Sequence, residues 1–160
     1  MSTPSFSVRL ATLDDAERLV EIEARVHTGP WIKDHFVHEI SQPFSRILLL
    51  TDDETDQMIA GYICYRLMDD YAEILNVAVD LQHRGLGFAQ LLMQQVIRDA
   101  LKDEMKRLTL DVRISNTAAI SLYKKLGFME VSRRKKFYSN GEAAVAMDLI
   151  LNVANISGSS

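Results

Sequence analysis

One cysteine in 160 residues leaves no partner for an internal disulfide, so Cys64, set between Ile63 and Tyr65, reads as a small buried hydrophobe rather than a reactive thiol. No stretch approaches the roughly 18 apolar residues of a membrane span. Met1-Ser2-Thr3-Pro4-Ser5 lacks the positive start and apolar run of a secretion signal, and a cytoplasmic location is expected. Basic charge is not in excess either: 18 Lys and Arg stand against 22 Asp and Glu, for a net charge of -4. A general nucleic-acid binder needs a basic stripe to displace phosphate counterions, so neither nucleic acid nor membrane is an expected partner. The chain also has no His-Glu-x-x-His pair, no Cys-His cluster and no Gly-x-Ser-x-Gly, which leaves zinc and serine-hydrolase chemistry without support and predicts no metal site. His27, His35 and His38 read as surface or helix-packing residues. The Asn155-Ile156-Ser157 sequon reads as chance in a cytoplasmic chain.

What remains is enough for one domain. A chain of this length buries roughly 68–70% of the surface its unfolded form exposes, so it needs no staple to hold a core. With no repeat, low-complexity block or Pro/Gly-rich linker, residues 6–151 form the expected domain and 152–160 a frayed tail. Val8-Arg9-Leu10 alternates as a strand, and Thr12 with Asp15 three positions on resembles a capping box. The helix that follows aligns Leu19, Ile22 and Val26 until Gly29-Pro30 breaks it. A second helix carries Phe36, Val37 and Ile40 inward and ends near Pro43.

Residues 46–51 and 58–68 read as an antiparallel hairpin around an acidic loop. Residues 71–80 form a strand apolar enough for the middle of a sheet, which makes Glu73 and Asn76 unusual there. From Phe88 a long helix repeats Ala89, Met93, Ile97 and Leu101. Residues 107–114 alternate again, with Leu108, Leu110 and Val112 on one side and Thr109, Asp111 and Arg113 on the other. Ser115-Asn116 caps the next helix and Gly127 stops it. Residues 128–138 and 143–151 are the last strands, joined by an Asn140-Gly141 turn. The order is β-α-α-β-β-β-α-β-α-β-β, an α/β chain with a mixed, mostly antiparallel sheet and four helices.

The chemistry is expected where the central strand runs through Arg84-Gly85-Leu86-Gly87-Phe88-Ala89 into the long helix. Two glycines let a backbone approach oxygen atoms closely, and a helix N-terminus offers N–H groups and a favourable dipole, so an anion such as phosphate fits. A tight turn needing glycine only for its dihedrals is the competing reading. Gln90 stands where a dinucleotide fingerprint places its third glycine, and no Gly-Lys-Ser/Thr occurs.

The loop resembles the Arg/Gln-x-x-Gly-x-Gly/Ala signature of the GNAT superfamily of acetyl-CoA-dependent N-acetyltransferases. A second segment, Asn116 to Phe128, resembles the superfamily's Asn-x-x-Ala-x-x-x-Tyr-x-x-x-Gly-Phe pattern. Pro30-Trp31, Asp111 to Asn116 and Arg133 to Tyr138 are similar to the bacterial branch that acetylates the N-terminal alanine of a ribosomal protein. The resemblance implies one GNAT domain whose co-substrate is acetyl-CoA and whose partner is a protein N-terminus, foremost that of a small-subunit ribosomal protein. Another amine acceptor, such as a lysine side chain, and a non-catalytic acyl-CoA-binding module are the alternatives.

Site roles follow from the same resemblance. Val77, Ala78 and Val79 hold the pantetheine arm through backbone hydrogen bonds, with one N–H polarising the thioester oxygen. Gly85, Leu86, Gly87, Phe88, Ala89 and Gln90 wrap the pyrophosphate, Arg84 helps neutralise it, and Asn116 reaches the CoA arm as well as capping its helix. Tyr123 is the general acid. Two carboxylates are candidate bases: Asp111, where relatives carry Glu, and Glu73, on the strand before the phosphate loop. Tyr138 borders the acceptor, although Glu142-Ala143 departs from the Glu-Asp common in that branch.

Overall fold

A computed structural model describes residues 5–55 and 58–152. Strands β1 (Phe6–Leu10), β2 (Ser45–Asp52), β3 (Ile59–Leu67), β4 (Tyr71–Val79), β5 (Arg107–Arg113), β6 (Met129–Arg134) and β7 (Ala144–Ile150) alternate with helices α1 (Ala16–Val26), α2 (Lys33–Ser41), α3 (Phe88–Lys102) and α4 (Thr117–Lys125). This is the order expected from the sequence. The strands form one sheet in the order β1-β2-β3-β4-β5-β7-β6. The β1–β2, β2–β3, β5–β7 and β6–β7 ladders are antiparallel, whereas β4 and β5 pair in parallel over Tyr71–Ile74 and Arg107–Leu110. Among the described residues no helix is long and apolar enough to cross a membrane. The expected tail beyond Asn152, and the sequon within it, lie outside the described residues.

The chain divides into two compact units that share β4 and α3. One comprises the described residues up to Arg66 together with Asn76–Gln95; the other comprises Leu67–Leu75 and the residues from Val96 on. In the first, Leu19 and Ile22 of α1, Phe36 of α2, Leu49 and Leu50 of β2, Tyr62 and Ile63 of β3, and Leu92 and Met93 of α3 are buried. Helical spacing puts Leu19 and Ile22 on one stripe, which needs an apolar partner to leave water. Cys64 is buried as expected, and desolvation pushes its thiol up to about 12. The α1 entry is held by Asp15, whose side chain accepts the Thr12 N–H at 2.7 Å and bonds to Arg9 and Arg18. Gly61 of β3 has a steric cause: a Cβ there would stand 2.7 Å from the Ala78 carbonyl oxygen and 3.3 Å from Val79 Cα. The tight β3–β4 approach that places Val77–Val79 therefore requires glycine.

In the second unit, Leu108, Leu110 and Val112 of β5 are buried in the alternation that the strand period demands, whereas β7 is buried without a break from Ala144 to Met147. β6, at the sheet edge, is exposed along its whole length. It also ends four residues earlier than residues 128–138 suggested. Lys136 sits at φ 54°, a left-handed conformation that a continuing ladder cannot accommodate. The chain then closes a separate turn in which Gly141 N–H bonds to the Tyr138 carbonyl and Tyr138 N–H to the Glu142 carbonyl. Asn140-Gly141 is thus a turn, with Gly141 at φ 87°, but at the tip of an irregular loop rather than between paired strands.

Candidate active site

In the first unit β4 leads straight into the glycine loop. Asp80, buried at the strand exit, caps a single 3₁₀ turn (Leu81–His83) by accepting the Leu81 N–H at 2.9 Å. Arg25 of α1 grips the same carboxylate with two bonds of 2.8 and 3.1 Å. That pairing, against the opposing effect of burial, holds the Asp80 carboxyl below the ordinary aspartate range. His83 is buried against Phe6 and Phe88, with ring centroids 5.9 and 6.2 Å away. From this fixed exit the chain turns through Gly85 at φ 80° and Gly87 at φ 79°. Both conformations are costly for any residue with a Cβ, and a Cβ at either would meet nothing within 4 Å. The glycines are therefore needed for backbone shape, and open space lies above them.

Helix α3 begins here, with the Leu91 N–H bonding to the Gly87 carbonyl at 3.0 Å. The first-turn N–H groups of an α-helix have no intrahelical acceptor and carry the positive end of its dipole. Open space, two left-handed glycines and a fifteen-residue helix behind them suit an anionic pyrophosphate, and the exposed Arg84 adds a full positive charge beside it.

Within the same unit the sequence reading missed a cluster. Glu23 of α1 is buried and accepts hydrogen bonds from the Tyr62 hydroxyl of β3, from Asn76 Nδ2 of β4 at 2.9 Å and from the Trp31 N–H at 3.0 Å. This gives Asn76 its reason for standing in a central strand. His27, the residue that ends α1 three positions before Pro30, places Nε2 3.1 Å from the Val77 carbonyl oxygen. A carbonyl only accepts, so Nε2 donates. The histidine is a backbone clamp on β4, beyond the packing role expected of it.

The second unit holds Tyr123, Tyr138, Asp111, Glu73 and Asn116. The ring of Tyr123 is buried on α4 against Phe128, with centroids 5.8 Å apart, and its hydroxyl has no hydrogen-bond partner among the described residues. Burial first, and then the nearby Tyr138, push its phenol up to about 12. Tyr138 is raised by burial and then by the charge of Asp111, so Asp111, Tyr138 and Tyr123 share one electrostatic neighbourhood. Arg113 stacks 3.9 Å over the Tyr138 ring and bonds to Glu142 at 3.1 Å. Glu142 thereby braces the loop that carries Tyr138.

The two candidate bases differ in setting. Asp111 is exposed on β5, with Arg134 3.6 Å away. Glu73 is half-buried on β4 opposite Thr109, and its side chain has no hydrogen-bond or ion-pair partner among the described residues. Thr109 and Asp111 share one face of β5, so both carboxylates face the same side of the sheet. Asn116 caps α4 as expected, its Oδ1 accepting the Ala119 N–H at 3.2 Å.

Comparison with known proteins shows the family and the fold. The acetyltransferase (GNAT) family profile matches residues 16–128. The chain is 36% identical over 141 residues to the [ribosomal protein bS18]-alanine N-acetyltransferase of Haemophilus ducreyi, covering 86% of this chain and 94% of that one. It is 30% identical over 152 residues to the enzyme of the same name from Salmonella typhimurium, covering 92% and 99%. Among solved structures, the ribosomal-protein-S18-alanine N-acetyltransferase of Escherichia coli superposes with a TM-score of 0.85 at 28% identity, over 93% of this chain and 96% of that one. Arabidopsis thaliana NAA60 in complex with acetyl-CoA shares the fold, with a TM-score of 0.82 at 19% identity over 92% of this chain and all of that one.

Proposed function

This chain belongs to the acetyltransferase (GNAT) family, and we propose that it moves the acetyl group of acetyl-CoA to the N-terminal alanine of the small-subunit ribosomal protein bS18. It is an acetyl-CoA-dependent N-acetyltransferase. The acceptor rests on one observation: relatives that match nearly end to end, at up to 36% identity, bear that activity in their names. A ribosomal-protein acceptor places the reaction in the cytoplasm.

In the first unit, Val77, Ala78 and Val79 lie past the end of the β4–β5 ladder and pair with the extended pantetheine arm as an added strand would. A backbone N–H of this stretch polarises the thioester oxygen, where negative charge develops during attack. Gly85 to Gln90 hold the pyrophosphate with Arg84 beside it. Replacing Gly87 with alanine costs about 1–2 kcal/mol of left-handed strain and is expected to raise the acetyl-CoA KM by roughly tenfold. Steady-state kinetics with varied acetyl-CoA would check it, and an unchanged KM would mean that this loop does not bind the phosphates.

In the second unit, Asp111 takes the proton from the incoming amine, through a water because its side chain is one methylene shorter than the glutamate that the family resemblance implies there. The amine attacks the thioester carbon, and as the tetrahedral intermediate collapses Tyr123 gives its proton to the departing CoA sulfur. Asn116 contacts the CoA arm, and Tyr138 borders the acceptor peptide.

The deciding experiment incubates the protein with labelled acetyl-CoA and a bS18 N-terminal peptide, with or without a blocked α-amine. Label on the free peptide alone is expected. Label on both would move the acceptor to a side chain, and label on neither would point to another amine or to a binding module.

A further inference from the structure

Three hydrogen-bond donors converge on a buried carboxylate that the acetyl-transfer steps do not use. Glu23 Oε1 accepts from Tyr62 and Asn76, and Oε2 accepts the Trp31 backbone N–H. His27 Nε2 stands 3.8 Å from Oε1 while it donates to the Val77 carbonyl. A carboxylate in an apolar interior is expensive unless its oxygens are fully bonded. Tyr62 serves as a permanent donor, because burial and then the Glu23 charge hold its phenol proton far above the ordinary tyrosine range.

The partners show what the arrangement governs. Asn76 immediately precedes the stretch assigned to the pantetheine arm. Trp31 lies in the segment 27–32 between α1 and α2, which turns through Gly29 at φ 69°. His27, at the start of that segment, touches the Val77 backbone itself. A thioester carried on Val77–Val79 would therefore have His27, at the head of residues 27–32, beside it, which puts that segment next to the amine's approach.

We propose that Glu23 is a positioning residue for acceptor binding: one carboxylate holds the Trp31 backbone and Asn76 together and so sets segment 27–32 against the Val77 backbone. The proposal rests on the reading that Val77–Val79 carry the acetyl-CoA arm. A carboxylate suits the task because it accepts on both oxygens, whereas an amide presents a donor on one side. In Glu23→Gln the volume is kept and Oε1 continues to serve Tyr62 and Asn76, but an NH₂ then faces the Trp31 N–H and the segment loses its tie.

The test separates positioning from bulk stability. Glu23→Gln is expected to raise the KM for a bS18 N-terminal peptide by at least about tenfold, as loss of a buried bond to a charged acceptor does, with acetyl-CoA KM and kcat within about threefold. Tyr62→Phe removes a donor and leaves the Trp31 tie, so its peptide KM is expected to stay within about threefold. Trp31 is the single tryptophan of the chain, and its acrylamide quenching is expected to rise in Glu23→Gln but not in Tyr62→Phe. Glu23→Asp, which keeps the charge but withdraws it by one methylene, should show the same split if the glutamine variant fails to fold. An unchanged peptide KM, or equal rises in both KM values that track the loss of Tm, would overturn the role. If the unaltered protein acetylates no peptide, the acetyl-transfer reading fails, and the quenching then decides for Glu23: equal values in all variants would overturn it.

Discussion

Replacing Tyr123 with phenylalanine is expected to lower kcat by about 10²–10⁴-fold, the range that a positioned general acid supplies, with acetyl-CoA KM within about threefold. The substitution removes one oxygen and leaves the ring in its place against Phe128. Since the hydroxyl bonds to no described residue, its loss strands no partner, and the fold has no reason to change. The pH dependence follows from the raised pKa. A phenol at about 12 is protonated throughout the neutral range and loses its donating form only as pH climbs toward that value. The part of the alkaline decline that belongs to Tyr123 should therefore lie near pH 12, beyond the ordinary tyrosine titration near 10. Stopped assays of kcat against pH on both proteins would show this. A phenylalanine variant that retained kcat within about threefold would remove Tyr123 from the acid role.

Asp111→Asn is expected to cost about 10²-fold or more in kcat at saturating peptide, whereas Glu73→Gln should stay within about threefold. Asp111 is preferred because its charge helps raise the Tyr138 phenol, and Tyr138 in turn helps raise that of Tyr123. Asp111→Glu keeps the charge and lengthens the side chain by one methylene, and is expected to keep activity within a few-fold. Arg134 lies 3.6 Å from Asp111, a solvent-exposed and weak pairing that leaves the carboxylate open to water. Loss of the ascending limb of the kcat profile in Glu73→Gln, with the limb intact in Asp111→Asn, would reverse the assignment.

The candidate residues were legible in the sequence to different degrees. Gly85 and Gly87 were readable because a left-handed backbone is a local demand that only glycine meets cheaply, and both adopt it. Asn116 was readable because a cap bonds within three residues of itself. Helix α3 was plain from its apolar repeat. The irregular loop before β7 was not, because its shape depends on Lys136 in a left-handed conformation and on Arg113 stacking across it onto Tyr138, and neither leaves a pattern along the chain.

Periodicity, caps and glycines act over a few residues, so the sequence alone determined the order of elements and the left-handed glycines after β4, and the resemblance of two motifs to a known family supplied the acetyltransferase reading. The tertiary structure decided which polar residues act together. Glu23 looks like any other glutamate on an amphipathic helix, yet its partners Tyr62 and Asn76 lie 39 and 53 residues away. The Val77 carbonyl that His27 clamps is 50 residues from it. Contacts at such separations form only when helix and sheet pack, and the cost of burying a carboxylate is met only once those distant donors arrive.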